Sequence, residues 1–208
     1  MTIKESYNIW AESYDSVENK TRDLEKIAIR QTLLSRKFDF VIELGCGTGK
    51  NTQWLAEKAK HLTAVDFSKE MISKAKKKIL SDKVNYVQMD ITKPWVIKDE
   101  HANLISCSLV LEHIYDLNFI FSEAQKKLKA KGLFYICELH PFKQYTGSKA
   151  RYDTEKGTIE LEVYIHNVSE FIKSAADNGF KLAELKEWFD VNDKIEPPRL
   201  ISFVFEKI

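Results

Sequence analysis

The chain has 208 residues, 44% of them hydrophobic and 12% aromatic, enough to bury a substantial core and of a size that usually makes one domain. Thirty-two Lys and Arg against thirty-one Asp and Glu leave a net charge of +1, which argues against a surface built to coat nucleic acid or anionic lipid. The start MTIKESYNIW has no apolar leader core and no stretch approaches ~20 uninterrupted apolar residues, so a cytoplasmic protein, neither secreted nor membrane-spanning, is expected.

Residues 1 to about 35 read as helical and carry the aromatic cluster Tyr7, Trp10 and Tyr14. "DFVIELG" (39–45) is a continuous β-rich run that turns, through glycines, into the helical pattern "KNTQWLAEKAK". A second strand, "HLTAVDF", precedes the helix "SKEMISKAKKKIL", with Met71, Ile72 and Ala75 facing inward, and "VNYVQMD" gives a third strand. "ANLISCSLV", "NFIFSEAQKKLKA" and "GLFYICELH" follow as strand, helix and strand. Apolar strands alternating with amphipathic helices predict a doubly wound α/β fold, a mostly parallel sheet covered on both faces.

The segment after the fifth strand breaks this rhythm. "PFKQYTGSKARYDTEKG" is polar and basic, and "TIELEVYIH" alternates, placing Ile159, Leu161, Val163 and Ile165 opposite Glu160, Glu162, Tyr164 and His166. Asn167 with Glu170 three residues on marks the start of a helix over 168–177, which Asn178 and Gly179 terminate. "FKLAELKEWF" and "RLISFVFEKI" supply two last strands. Cys46, Cys107 and Cys137 form no C-x-x-C pair and read as small buried residues, and His61, His101, His113, His140 and His166 have no metal-ligand spacing, so no metal is expected.

The glycine loop decides the ligand. A phosphate-binding G-x-x-x-x-G-K-[ST] loop built on Gly49 and Lys50 would need a glycine where Leu44 stands and a hydroxyl where Asn51 stands. The dinucleotide pattern G-x-G-x-x-G meets Lys50 or Thr52 in place of its third glycine, depending on register. Glu43, two residues before the first glycine, is a poor neighbour for a pyrophosphate because like charges repel. What remains is E-x-G-x-G-x-G, read as Glu43, Gly45, Gly47 and Gly49 in "ELGCGTG".

This stretch resembles the first motif of the class I S-adenosylmethionine-dependent methyltransferases, and the resemblance continues in register to about residue 140. It implies a Rossmann-like sheet of seven strands with one antiparallel strand near the C-terminus. S-adenosyl-L-methionine, whose sulfonium and ammonium are cationic, is the implied cofactor and S-adenosyl-L-homocysteine the product. Asp66 in "LTAVDFS" would accept both ribose hydroxyls. Asp90 in "VQMDIT" would meet the adenine amino group, with the Ile91 N–H toward the ring, and the strand end near Ser108 would meet the methionine moiety. Phe67 and Met71 divide between adenine wall and core. "YNIWAESYD" resembles the segment that closes over the cofactor in small-molecule enzymes, with Asn8 where that pattern has an acid, and "ELHPF" and "HNVSEF" resemble one branch of them.

On the acceptor side, Trp10 and Tyr14 are candidates to face the sulfonium, because aromatic faces favour a cation. His113, after the fourth strand, and His140, ending the fifth, are candidate bases, each weighed against a structural histidine. Tyr145, Arg151, Tyr152, Tyr164 and His166 would line the acceptor pocket. The whole chain is expected to form one methyltransferase domain: a helical lid (1–37), a cofactor-binding core (38–140), a substrate-side insertion (141–166), and a C-terminal helix and strands (167–208). "CSLVLEHI" lacks the N-P-P-Y-like sequence and the Pro-Cys nucleophile of nucleic-acid enzymes, so a small-molecule acceptor, methylated at oxygen or nitrogen, is expected from a monomer or homodimer, with nucleic acid disfavoured. The rival readings are an RNA or protein methyltransferase, a non-catalytic S-adenosylmethionine-binding protein, and a nicotinamide dehydrogenase.

Overall fold

In a computed structural model, describing residues 2–154, 157–190 and 196–208, the apolar runs become the strands of one seven-stranded sheet. β1 (Phe38–Leu44), β2 (Ala59–Asp66), β3 (Val84–Gln88), β4 (Ala102–Ser108) and β5 (Leu128–Leu139) pair in parallel, in the order β3-β2-β1-β4-β5. The sheet continues through β9 (Leu200–Lys207) to β8 (Phe180–Trp188), and β9 runs antiparallel to both of its neighbours, β5 and β8. The expected doubly wound sheet with one reversed strand is therefore present.

Successive strand residues point to opposite faces, and both faces are buried. Leu44, Ile105, Phe134, Phe203 and Phe205 form one core with Phe121 of α5 (Leu117–Lys127) and Phe171 of α7 (Val168–Asp177). Val41, Leu62, Leu104, Tyr135 and Val204 form the other with Ile29 and Leu33 of α2 (Lys20–Leu33) and Leu55 of α3 (Thr52–Lys58). Side chains of this size contribute ~1.5–3 kcal/mol each when fully buried, which is what holds helices of only seven to fourteen residues on the sheet.

Parallel pairing puts the carboxyl ends of β1 to β4 on one edge, the edge where open α/β sheets bind ligands. Gly45, Asp66, Asp90 and Ser108 leave or end those strands there. α4 (Lys69–Lys78) starts beside them, and the Ser68 hydroxyl accepts its Met71 N–H at 3.1 Å. α1 (Ile3–Trp10) lies across the same edge, joined to it by a network from residue 15: Asp15 accepts from the Thr48 hydroxyl and from Lys78, both at 2.7 Å.

The region after β5 differs from the alternation read in the sequence. Pro141 starts a short α6 (Pro141–Tyr145), and β6 (Arg151–Thr154) pairs with β7 (Gly157–Glu160) in a separate two-stranded sheet, while Glu155 and Lys156 of the insertion lie outside the described residues. Beyond Glu160 the strand ends: Ile165 is 37% exposed and His166 only 8%, the reverse of the expected faces. The cause is the His166 ring, which reaches the Ile114 carbonyl at 2.7 Å and packs on Phe171. α7 starts and stops as expected, with the Glu170 carboxylate accepting the Asn167 N–H at 2.7 Å and Gly179 at φ +76°. Among the described residues no helix is long and apolar enough to cross a membrane.

Candidate active site

A cavity of about 450 Å³ opens at the carboxyl edge of the sheet. Its floor is Gly45 and Gly47 from the loop after β1, Asp66 and Phe67 from the end of β2, and Met89, Asp90 and Ile91 from the segment after β3. Ser108, Leu109 and Val110 leave β4 along a second side, Met71 of α4 closes a third, and Tyr7, Tyr14 and His113 form the roof.

The Asp66 carboxylate organises this floor. Its Oδ2 accepts the Gly47 N–H at 2.9 Å and its Oδ1 accepts the Ser68 N–H at 2.8 Å, which leaves about two of its four lone-pair sites for a ligand. Burial pushes the carboxyl up to about 6, against the pull of those backbone donors. Asp90 Oδ1 accepts the Thr92 N–H at 3.0 Å and the Thr92 hydroxyl at 2.7 Å, while its Oδ2 lies 3.9 Å from the Lys93 ammonium.

Two glycines of the loop have different jobs. Gly47 sits at φ +53° with nothing within 4 Å of the place a Cβ would take, and it borders the cavity, so any side chain there would occupy ligand space. Gly49, at φ +88°, would put a Cβ 2.6 Å from Ile79 and 3.2 Å from Ala75, so its missing side chain lets the loop pack on α4. It does not line the cavity, a correction to the ligand contact expected of it.

Behind the loop lies a smaller lobe of about 50 Å³, bordered by Glu43, Glu25, Lys50, Arg22, Asn51 and Ser108. Glu43 Oε2 accepts the Thr52 hydroxyl at 2.6 Å, and desolvation, with Glu25 and Asp66 nearby, pushes its carboxyl up to about 8. Burial likewise raises Glu25, which takes both bonds of the Asn51 amide, at 3.0 and 2.9 Å, and lowers Lys50 to about 8.

In the roof, His113 Nδ1 lies 3.0 Å from the Glu162 carbonyl, an acceptor, so Nδ1 carries the proton. Nε2 therefore accepts from the Tyr7 hydroxyl at 2.9 Å. Burial lowers His113 and raises Tyr7, and both act to keep this pair neutral. A third cavity, about 540 Å³, lies on the far side of Tyr7, Tyr14 and Leu109, bounded by Trp10, the start of α2, Glu112 and residues 146–151. Leu109 borders all three cavities and has φ +56°, a left-handed conformation that costs a side-chain-bearing residue roughly 1–2 kcal/mol.

Residues 42–136 match the methyltransferase domain family. The chain is 31% identical over 136 residues to a malonyl-[acyl-carrier protein] O-methyltransferase of Priestia megaterium, covering 62% of this chain and 48% of that protein. It is 27% identical over 190 residues to a ubiquinone biosynthesis O-methyltransferase of Coxiella burnetii, covering 83% and 80%. Over residues 42–136, a little under half of the chain, the sequence is similar to methyltransferase domains. The crystal structure of an S-adenosylmethionine dependent methyltransferase from Mesorhizobium loti superposes with a TM-score of 0.73 at 17% identity, over 88% of this chain and 98% of that one, a likeness of fold. The chain spans about half the length of the malonyl-[acyl-carrier protein] relatives it matches.

The expected residues divide cleanly. Gly45, Gly47, Asp66, Phe67, Met71, Asp90, Ile91, Ser108, Tyr14 and His113 meet around the first cavity, Glu43 borders the second, and Trp10 and Arg151 border the third. Tyr145, Tyr152, Tyr164 and His166 line none of them. Tyr145 is 60% exposed and donates to Asn167 Oδ1 at 2.7 Å; Tyr152 stacks on Trp10 at 5.1 Å and is buried. Tyr164 meets Tyr115 edge-on at 5.4 Å, and His166 is the core contact described above.

His140 is also corrected. Its ring is 1% exposed and borders none of the cavities. Nδ1 accepts the Phe142 N–H at 3.2 Å, capping α6, and Nε2 meets Glu187 of β8 at 3.2 Å. Pro141 as the first helical residue explains the turn: it starts a helix, and the preceding side chain becomes its cap. Sequence reasoning missed Glu25 and Arg22, which lie in the N-terminal helical stretch where only the aromatic cluster stood out, and Leu109, whose left-handed backbone has no signature in a leucine.

Proposed function

We propose that this chain is an S-adenosylmethionine-dependent methyltransferase whose acceptor is a small molecule, methylated at oxygen or nitrogen. The observation that carries the reading is the floor of the first cavity, where two carboxylates, Asp66 and Asp90, flank the bare backbone of Gly47. That floor suits a cationic, phosphate-free nucleoside and repels a dinucleotide. Both curated relatives above are named as O-methyltransferases, which favours oxygen as the accepting atom.

S-adenosylmethionine, when bound, supplies a methyl group on a cationic sulfur, whose carbon–sulfur electrons stay with sulfur as the acceptor's lone pair takes the methyl. In this reading Asp66 accepts the ribose hydroxyls with its free lone pairs. Asp90 and the Ile91 N–H meet the adenine edge, between Phe67 and Met71. Gly45 and Gly47 let the backbone approach the methionine moiety, beside Ser108, and Glu43 supplies negative charge behind the loop. Tyr7 and Tyr14 exclude water above the reacting atoms, and holding the acceptor ~3 Å from the methyl provides much of the rate. His113 borders the cavity, and its Nε2 can take the acceptor's proton once the Tyr7 hydroxyl turns away. Residues 1–37 act as the lid of a single functional unit.

Titration calorimetry with S-adenosylhomocysteine and with NAD tests the reading first. Micromolar binding of the former and none of the latter is expected, and the reverse would replace methyl transfer with hydride transfer. A screen of metabolite pools for S-adenosylhomocysteine release then tests the acceptor; release only with RNA or protein pools would refute the small-molecule half.

A further inference from the structure

The two large cavities on either side of Tyr7 and Tyr14 have opposite electrostatic character. The first is bordered by Asp66, Asp90 and Glu162 with Lys4 as the one cation among the described residues. The third is bordered by Lys20, Arg22, Lys149, Arg151 and Arg199 against Glu18 and Glu112. Two of those cations are already matched, Lys149 by Glu160 and Arg199 by Asp190. Lys20 and Arg22 make no ion pair with a described residue. Arg22 instead donates to the carbonyls of Tyr14 and Val17 and lies 4.2 Å from the Tyr14 ring centre, so it is held in place with its charge unpaired. On the opposite wall, burial pushes Glu112 up to about 7, and it takes the Gln144 amide at 3.4 Å.

We propose that the acceptor carries an anionic group, a carboxylate or a phosphoryl, seated among Lys20, Arg22 and Arg151 in this third cavity, with its reacting atom toward Tyr7, Tyr14 and Leu109. The proposal rests on the methyl-transfer reading above. A concave wall of low dielectric focuses unpaired positive charge onto whatever fills it, and guanidinium groups match carboxylate and phosphoryl oxygens geometrically. At about 540 Å³ the space fits a small metabolite, and the cations border one cleft instead of tracking a surface as a nucleic-acid backbone requires. The division of charge also suits the transfer: a cationic donor sits over carboxylates and an anionic acceptor sits among cations, so neither repels its own wall.

The test is calorimetry on the protein saturated with S-adenosylhomocysteine, using matched probes: benzoate against benzamide, and phenyl phosphate against phenol. Each anion should bind at least tenfold more tightly than its neutral twin. The exposed substitutions Lys20→Gln and Arg151→Gln, combined, should remove about tenfold of anion affinity while S-adenosylhomocysteine affinity stays within twofold. Stronger binding of phenyl phosphate assigns a phosphoryl acceptor and stronger binding of benzoate a carboxylate. Neutral twins binding equally, anion affinity unchanged in the double variant, or no anion binding beside intact S-adenosylhomocysteine binding would each overturn the proposal. Steeply salt-dependent binding of a single-stranded RNA with no small-anion binding would overturn it in favour of nucleic acid. Anion binding without any S-adenosylhomocysteine binding would instead remove the methyl-transfer reading and the acceptor role together.

Discussion

If Glu43 backs the cofactor loop as proposed, cofactor affinity should depend on pH. In the free protein its carboxyl titrates near 8, because it is buried with Glu25 and Asp66 near and only the Thr52 hydroxyl bonded to it. A ligand that brings an ammonium behind the glycine loop favours the ionised form, so binding must drive off the proton. If only ionised Glu43 binds well, affinity at pH 6 is lower than at pH 8 by the ratio of protonated-state weights, 101 to 2, or about 50-fold. Asp66, titrating near 6, adds about a further twofold over the same interval. The assay is calorimetry with S-adenosylhomocysteine at pH 6, 7 and 8, in buffers of different ionisation enthalpy. Near pH 7, about one proton should be released per ligand bound, about 0.9 of it from Glu43 and the rest from Asp66. Glu43→Gln retains an acceptor for Thr52 and should flatten the dependence to a few-fold. A wild-type affinity independent of pH, or an equal slope in Glu43→Gln, would refute the reasoning.

The unliganded fold should follow the same groups: Glu43 and Glu138, raised from 4.5 to about 8, keep protons that the unfolded chain releases, so stability falls as pH rises from about 4.5 to 8. Thermal melts should show that decline, and Glu138→Gln, whose amide oxygen can still accept from Val110 and Leu111, should lessen it. Asp66→Ala should weaken S-adenosylmethionine binding by about 1.5–3 kcal/mol, and an unchanged dissociation constant in a folded variant would remove the ribose assignment. Gly47→Val should abolish that binding with the fold largely kept, whereas Gly49→Val should lower the melting temperature through a loss of ~1–3 kcal/mol as its side chain meets Ile79 and Ala75. His140→Ala should cost ~1 kcal/mol in stability, the worth of a helix cap, and leave turnover within about threefold; a hundredfold loss of turnover would restore it as a base.

The parallel sheet and the ligand edge were legible in the sequence because two-sided burial writes long apolar runs such as "FVIEL" and "LISCSL", and parallel pairing then places their ends together whatever the loops do. The positions of Asp66, Asp90, Gly45 and Gly47 at that edge were readable for that reason, whereas Gly49, expected to meet the ligand, packs on α4 instead. Residues 161–166 were not, since alternation predicts a strand only where a partner strand exists, and beyond Glu160 none pairs with them. His140 misled because a histidine before proline at a strand end looks exposed, while a five-residue helix is too short to leave a periodic pattern. The cations of the third cavity, at positions 20, 22, 149, 151 and 199, are dispersed over nearly the whole chain, so only folding reveals them as a group.

The placement of β9 between β5 and β8 also orders events during synthesis. Among the described residues β8 pairs with no strand except β9, which leaves the ribosome after it. β1 to β5 can zip as each is made, but β8 must wait as an unpaired edge, its exposed Leu182 and Leu185 available to other chains, until some twenty further residues have emerged. A ribosome pausing in that interval would present a nascent chain with a five-stranded sheet and one orphan strand, a natural point for a chaperone to engage.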